Sequence, residues 1–433
     1  MIIKIKTKTE IMWIIVALYL LKIYVINAET FFLVCVGVVG LYTIRRKVIV
    51  IPKIPGLIFY TLTLILMTAI GMTKYPISLV ERDVFYEFFS VLYLIIGYYT
   101  FDYYNGREKS LWKTVCFSLF IVSGVCVAQG ITSVTSGADF ATFREQFNQS
   151  VGSISFIVPI LVGKRYIYKE NTFSEVKDNG LVILWILQLL LNLSRISIIN
   201  MFIGIIVFIV CGVYKRKINL QNAFRISTTV LVIGILGMVF ISAMPDEAKD
   251  RFEEKFSNSF TEISASNEYE DISDAQSDWR GYEIHCAQEQ WKNSDLLSQL
   301  IGSGNGTLVY IHYIPDQWVE TVEHQNGRAG VTILHNTYYT LLVKGGLLAV
   351  IALLALLGLN MFKAIKGLAK FDNENMLYAT MVIILIVLIL TDAYVVRNMM
   401  DKGSEMTALL LIGWINAKIN NTERNHRYID EKV

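Results

Sequence analysis

Long blocks of apolar residues, each broad enough to cross the hydrocarbon core of a bilayer, alternate with short polar joints along most of this chain. About twelve spans are predicted on this pattern. The first six fall at Ile11–Ile26, Thr30–Ile44, Ile54–Met72, Val84–Phe101, Thr114–Ile131 and Val151–Gly163. Leu181–Leu193 and Ile196–Tyr214 form a tight hairpin broken at Ser194-Arg195, and Ala223–Ala243 is the ninth span. Asn336–Met361, Met376–Thr391 and Ser404–Ile419 close the set. Between the ninth and tenth spans lies one long polar stretch, Met244–Leu334. The expected fold is therefore an all-α polytopic membrane protein with one large, mainly helical loop domain. Its expected parts are spans over residues 1–243, the loop domain over 244–334, spans over 335–419, and a tail over 420–433.

Charge orients this arrangement. Alternate joints are basic: Lys4/Lys6/Lys8, Arg45-Arg46-Lys47, Arg107/Lys109/Lys113, Lys164-Arg165/Lys169, Lys215-Arg216-Lys217 and Lys363/Lys366/Lys370. Basic joints stay in the cytoplasm, so both termini are expected there and Met244–Leu334 outside. That segment is acidic, with Asp246, Glu247, Asp250, Glu253 and Glu254 at its start. Long external domains translocate whatever their charge, so the acids do not disturb the register.

Composition agrees with a membrane protein. The chain is 54% hydrophobic and 18% charged, where a soluble chain of 433 residues carries more charge. The net charge of +2 says nothing about partners, and no nucleic acid is expected. Met1–Thr9 leads straight into the first span, so no cleavable signal peptide is expected. Four cysteines fall in apolar runs. Cys286 alone lies in the polar segment, which leaves no disulfide framework there.

Within the polar segment, Ser257–Asp278 is rich in Ser, Asn, Asp and Glu and is expected to be mobile. An amphipathic helix is predicted from Trp279, capped by Ser277 or Asp278, with Arg280, Ile284, Ala287 and Trp291 on one face. Gly302–Gly306 requires a tight, irregular loop. No Lys-Ser/Thr follows it, so a nucleotide cradle is not expected.

Three residues stand out chemically. His335 opens the tenth span with a ring that exchanges protons near neutrality. It either acts as a base or hydrogen-bonds to headgroups and loop backbone. Arg195, at the turn of an apolar hairpin, either binds an anion or snorkels to lipid phosphate. Arg280 begins a predicted helix, where a cation opposes the macrodipole by a few tenths of a kcal/mol. It either serves a ligand or pairs with a neighbouring acid. Two arginines offer forked donors suited to a diphosphate, and a nearby imidazole could deprotonate an attacking hydroxyl. Arg82, Arg144 and Arg397 lie at other external joints, where they line a substrate groove or anchor at the interface. His285 and Glu289 have i, i+4 spacing but no further ligands at a clear spacing, so no metal site is expected.

The motifs together resemble the O-antigen ligase and O-antigen polymerase superfamily of membrane glycosyltransferases, of GT-C type. Leu193-Ser194-Arg195 before a span looks like the family's Ser-Arg hairpin. Trp279-Arg280-Gly281-Tyr282-Glu283, then Trp291, then Leu300 to Gly306, looks like its arginine, helix and glycine-loop stretch. His335-Asn336-Thr337-Tyr338-Tyr339 followed by Gly346 resembles the signature opening the span after the large external loop. Three residues after Gly346 the chain has Ala349, a mild departure. The acidic stretch Ser257–Asp278 matches no motif of the family.

The resemblance implies a glycan on undecaprenyl diphosphate as donor, with Arg195 and Arg280 on the diphosphate and His335 as the base that activates an acceptor sugar hydroxyl. Asn336 and Tyr338 join the three arginines as groove candidates. It implies inversion at the anomeric centre, no metal or cofactor, and a place in the bacterial inner membrane with an extracytoplasmic active site. The leading expectation is a polymerase of surface polysaccharide, with a chain-length regulator as a possible partner. The rival is a ligase passing finished glycan to lipid A-core or another acceptor. A flippase or transporter is a third reading. It is disfavoured by nearly uncharged spans and by a large domain that breaks any twofold relation between halves.

Overall fold

Most of the apolar blocks become helices. The computed structural model describes residues 7–24, 27–46, 51–104, 107–137, 142–143, 146–192, 194–215, 224, 269–314, 323–325, 327–370, 373–395, 398–400 and 405–430. The first half holds α1 (Thr7–Tyr24), α2 (Ala28–Arg46), α3 (Leu57–Lys74), α4 (Ile77–Tyr104), α5 (Glu108–Thr135), α6 (Asn148–Tyr166), α7 (Glu175–Asn192) and α8 (Arg195–Tyr214). The polar segment contributes α9 (Ile272–Ser277), α10 (Trp279–Lys292), α11 (Leu296–Ile301) and the short strands β1 (Val309–Tyr310), β2 (Glu323–Gln325) and β3 (Arg328–Val331). The chain then returns to the bundle as α12 (Thr337–Lys370), α13 (Asn373–Val395) and α14 (Met406–Asp430).

A helix stands at every expected span except the ninth, which lies outside the described residues together with residues 244–268. Among the described residues, 7 helices are long and apolar enough to cross a membrane: α2, α3, α4, α5, α8, α12 and α13. Several helices overrun the predicted spans. α4 begins at Ile77 rather than Val84, and α12 continues to Lys370 rather than Met361. An apolar window marks bilayer depth, whereas the backbone ladder continues into polar turns such as the one carrying Lys363, Lys366 and Lys370.

Close backbone approach builds the bundle. α4 and α14 cross where Gly97 faces the carbonyl of Leu410 and Gly413 faces that of Leu94. A Cβ at Gly413 would sit 2.9 Å from the Tyr98 amide nitrogen. Small residues permit this contact between spans, which have no hydrophobic drive to associate in lipid. Buried polar groups pair across helices: Tyr19 Oη with Thr407 Oγ1 at 2.6 Å, and Trp185 Nε1 donating to Ser123 Oγ at 3.1 Å.

The segment expected to be mainly helical also carries a three-stranded antiparallel sheet of order β1-β3-β2. Strands of two to four residues have no room for alternation, so the pattern did not predict them. The domain's apolar core includes Tyr282, Cys286, Ala287, Val309, Leu334 and Val343. Val343 belongs to α12, so domain and bundle share packing.

The glycine loop is the second join. It lies between α3 and α12 instead of standing free. Asn305 N donates to Met67 O at 3.0 Å, Gly304 N to Lys344 O at 2.8 Å, and Gly306 N to Asp83 Oδ2 at 2.6 Å. Asp83 also pairs with Lys344, and both side chains are fully buried. Glu87 accepts from Asn305 Nδ2 at 2.8 Å. The spans are thus more charged than their apolar windows suggest, with Asp83, Glu87 and Lys344 buried at the end that meets the domain.

α12 was expected to be continuous, yet it breaks at Gly346, where φ is 61° and ψ is −164°. A Cβ there would meet Leu300 C and O at 2.5 Å and Gly302 N at 2.6 Å. Only glycine occupies this backbone region without strain, which for other residues costs about 1–3 kcal/mol. Gly346→Ala is therefore expected to reduce the folded yield and lower the melting temperature in detergent. Gly358→Ala, a change into open space on the same helix, is expected to be neutral or mildly stabilising.

Candidate active site

Asp278 caps α10, its Oδ1 accepting from Gly281 N at 3.1 Å. The helix therefore starts where expected, but it buries a different face. Tyr282, Glu283, Ile284, Cys286 and Ala287 are buried, while Arg280 and Trp291 are only partly covered. A carboxylate lies on the buried face because donors surround it. Glu283, 3% exposed, accepts from Trp279 Nε1 at 2.8 Å and from the His335 backbone amide at 2.9 Å. His335 Nδ1 lies 3.0 Å from Oε2 and 3.1 Å from Oε1 of the same carboxylate.

This geometry sets the tautomer. A carboxylate only accepts, so in the neutral ring the proton sits on Nδ1 and the lone pair on Nε2. The His335 side chain is 31% exposed, enough for Nε2 to meet a ligand while the other edge is held. The pair has the base-and-orienter logic of nucleophile-activating sites.

The other sequence candidates fall into three groups. Arg280 lies on α10 one turn before Glu283, a spacing that puts both on neighbouring surface of the helix. Arg195 is the first residue of α8, at the end of the bundle that meets the domain. Five residues on, Asn200 Nδ2 donates to the buried Asp392 of α13. Two residues beyond Asp392, Tyr394 O accepts from Asn336 Nδ2 at 2.8 Å. α13 therefore links the Arg195 helix to the residue beside His335.

Asn336 and Tyr338 are engaged within the fold. Asn336 Oδ1 accepts from Tyr339 N at 3.2 Å at the start of α12, and Tyr338 Oη donates to Leu390 O at 3.1 Å. Arg82 forks onto both carboxylate oxygens of Glu323 in β2, tying α4 to the sheet. Arg144 and Arg397 lie outside the described residues.

Glu283 closes the quoted Trp279–Glu283 motif, but its role escaped the sequence reading because its partner His335 lies 52 positions away. Lys344, Glu87 and Asp392 had a usable signal, an ionisable residue within or beside an apolar run. His312 is exposed and sits 3.5 Å from Glu289.

Burial pushes the Cys286 thiol up to about 11 and raises the Tyr282 phenol as well. Tyr282 Oη also accepts from the amides of His312 and Tyr313, each at 2.6 Å. Both groups favour their neutral forms when folded. The stability the thiol contributes is complete below its unfolded value of 9.0 and is lost as pH rises toward about 11, whereas the phenol's is lost only at higher pH, above its unfolded value of 10.0. Hydrogen exchange at α10 amides is expected to accelerate across that window beyond its intrinsic base catalysis.

Residues 180–354 match the family model described as O-antigen ligase. The match agrees with the resemblance of the motifs in this stretch to the O-antigen ligase and polymerase superfamily. It contains Arg195, Arg280, Glu283, His335 and Gly346, and excludes Arg82, Arg144 and Arg397. No curated protein matches the chain. The apolar helices together with this family mark an integral membrane protein.

Proposed function

We propose that the protein is a glycosyltransferase that polymerises a surface polysaccharide, taking its glycan from undecaprenyl diphosphate. The observation that carries this reading is the His335–Glu283 pair, its carboxylate buried and its imidazole partly exposed, within the segment that matches the family model. Its acceptor is the hydroxyl of a lipid-linked repeat unit. The hydroxyl proton passes to His335 Nε2 as the oxygen attacks the anomeric carbon. The bond from that carbon to the diphosphate oxygen breaks, and undecaprenyl diphosphate leaves with the electron pair. Attack from the opposite face inverts the centre. Glu283 holds the imidazole in register and stabilises the imidazolium that forms.

Arg195 and Arg280 supply the positive charge for the leaving diphosphate, the role that forked guanidinium donors fill well. Removing either is expected to lower turnover by about 10²–10³-fold. Radiolabel transfer from the lipid-linked donor, at matched protein level in the membrane, measures this. The site faces the extracytoplasmic side, because the basic joints lie at the opposite end of the helices. The same chemistry would serve a ligase. Product length in cells lacking the protein decides between them. Loss of long chains with single units still attached supports polymerisation, whereas build-up of long lipid-linked chains assigns it as a ligase.

A further inference from the structure

α11 is built inside out for a helix in water. Its leucines face away from the protein: Leu296 is 72% exposed, Leu297 64% and Leu300 45%. They fall at i, i+1 and i+4, on one face. Its Gln299 side chain turns inward, while Ser298 Oγ donates to the exposed cap Asp295 at 2.8 Å. Gln299 Nε2 donates to Lys292 O and Ser294 O, each at 3.1 Å, and Gln299 O accepts from Trp291 Nε1 at 3.1 Å. A short segment that turns three leucines outward together marks a face that is favoured in apolar surroundings.

The depth of the helix identifies those surroundings. Leu300 packs on Gly346, more than two turns inside α12 from the residue after His335–Asn336. The loop that follows hydrogen-bonds to Met67, inside the membrane-length helix α3. The α12 surface just beyond Gly346 continues with exposed Leu347, Ile351 and Leu354 along a span of membrane length. The Leu300 backbone thus joins α11 to α12 directly before this exposed apolar stripe.

We propose that α11 is a membrane-seated wedge whose Leu296, Leu297 and Leu300 lie among the acyl chains of the bilayer leaflet next to the domain. The polar segment is then partly immersed, and its glycine loop and α10 are held at headgroup depth. This inference stands on the packing of α11 alone and does not depend on the reaction assigned above.

Site-directed fluorescence tests it. The five native cysteines are buried, so a cysteine at position 297 labels selectively with bimane. Leu297→Cys and, as a control on exposed α9, Gln276→Cys are placed in the full chain. Each is reconstituted at one and, separately, at two copies per nanodisc of phosphatidylcholine and phosphatidylglycerol, with plain or dibrominated acyl chains. Emission at position 297 is expected to be blue-shifted and to fall at least twofold in brominated discs, with position 276 unchanged. Water-like emission at 297 that brominated lipid leaves unquenched would overturn the proposal. So would unquenched, blue-shifted emission seen only in discs holding two copies, which assigns the face to a second chain.

Discussion

His335→Ala is expected to lower glycosyl transfer by about 10²–10⁴-fold, the range a positioned general base contributes, while the protein inserts and purifies as wild type does. Glu283→Gln is expected to fall nearly as far. The carboxylate faces only donors: Trp279 Nε1, the His335 amide and His335 Nδ1. A carboxamide puts an NH₂ among them. Where that NH₂ meets Nδ1, the ring proton moves to Nε2 and the base is lost. Because the two residues act as a unit, the double variant is expected to be little worse than His335→Ala alone. Glu283→Asp keeps the charge and is expected to retain more activity than Glu283→Gln. Steady-state rates at saturating donor, with circular dichroism as the fold control, check all four variants.

Lys344→Met is expected to produce the largest loss of stability. Lys344 and Asp83 are paired with both side chains fully buried. Removing one partner of a buried pair leaves an uncompensated charge, at a cost of about 3–5 kcal/mol. Asp83 also receives the Gly306 amide, so the disturbance spreads to the glycine loop and through it to α10 and α12. Adding Asp83→Asn removes the orphan charge and keeps an acceptor for Gly306. The double variant is therefore expected to recover more than half of the lost melting temperature. Thermal unfolding of the four forms in one detergent measures this. Equal losses in the single and double variants would show that the charge pairing is not what holds the loop.

The helical frame was legible because a bilayer span needs a long apolar run, and such runs stand out in sequence. The glycine loop and His335 were legible for similar reasons, one a cluster of conformationally free residues and the other a titratable ring at the mouth of a span. What remained hidden depends on residues far apart in the chain. Asp83 and Lys344 are separated by 261 positions, and Glu283 and His335 by 52. No local pattern pairs them. The buried face of α10 was misread because a carboxylate scores as polar, although Trp279 and His335 make it an interior residue. The break at Gly346 is also tertiary in origin, set by the Leu300 backbone pressing on α12.

The most direct measurement uses purified protein in nanodiscs, supplied with one defined undecaprenyl-diphosphate repeat unit and a chelator, and sizes the products. The account predicts a ladder of lipid-linked oligomers from the wild type and only the starting unit from His335→Ala. A ladder of the same lengths, formed at the same rate by His335→Ala, would contradict it.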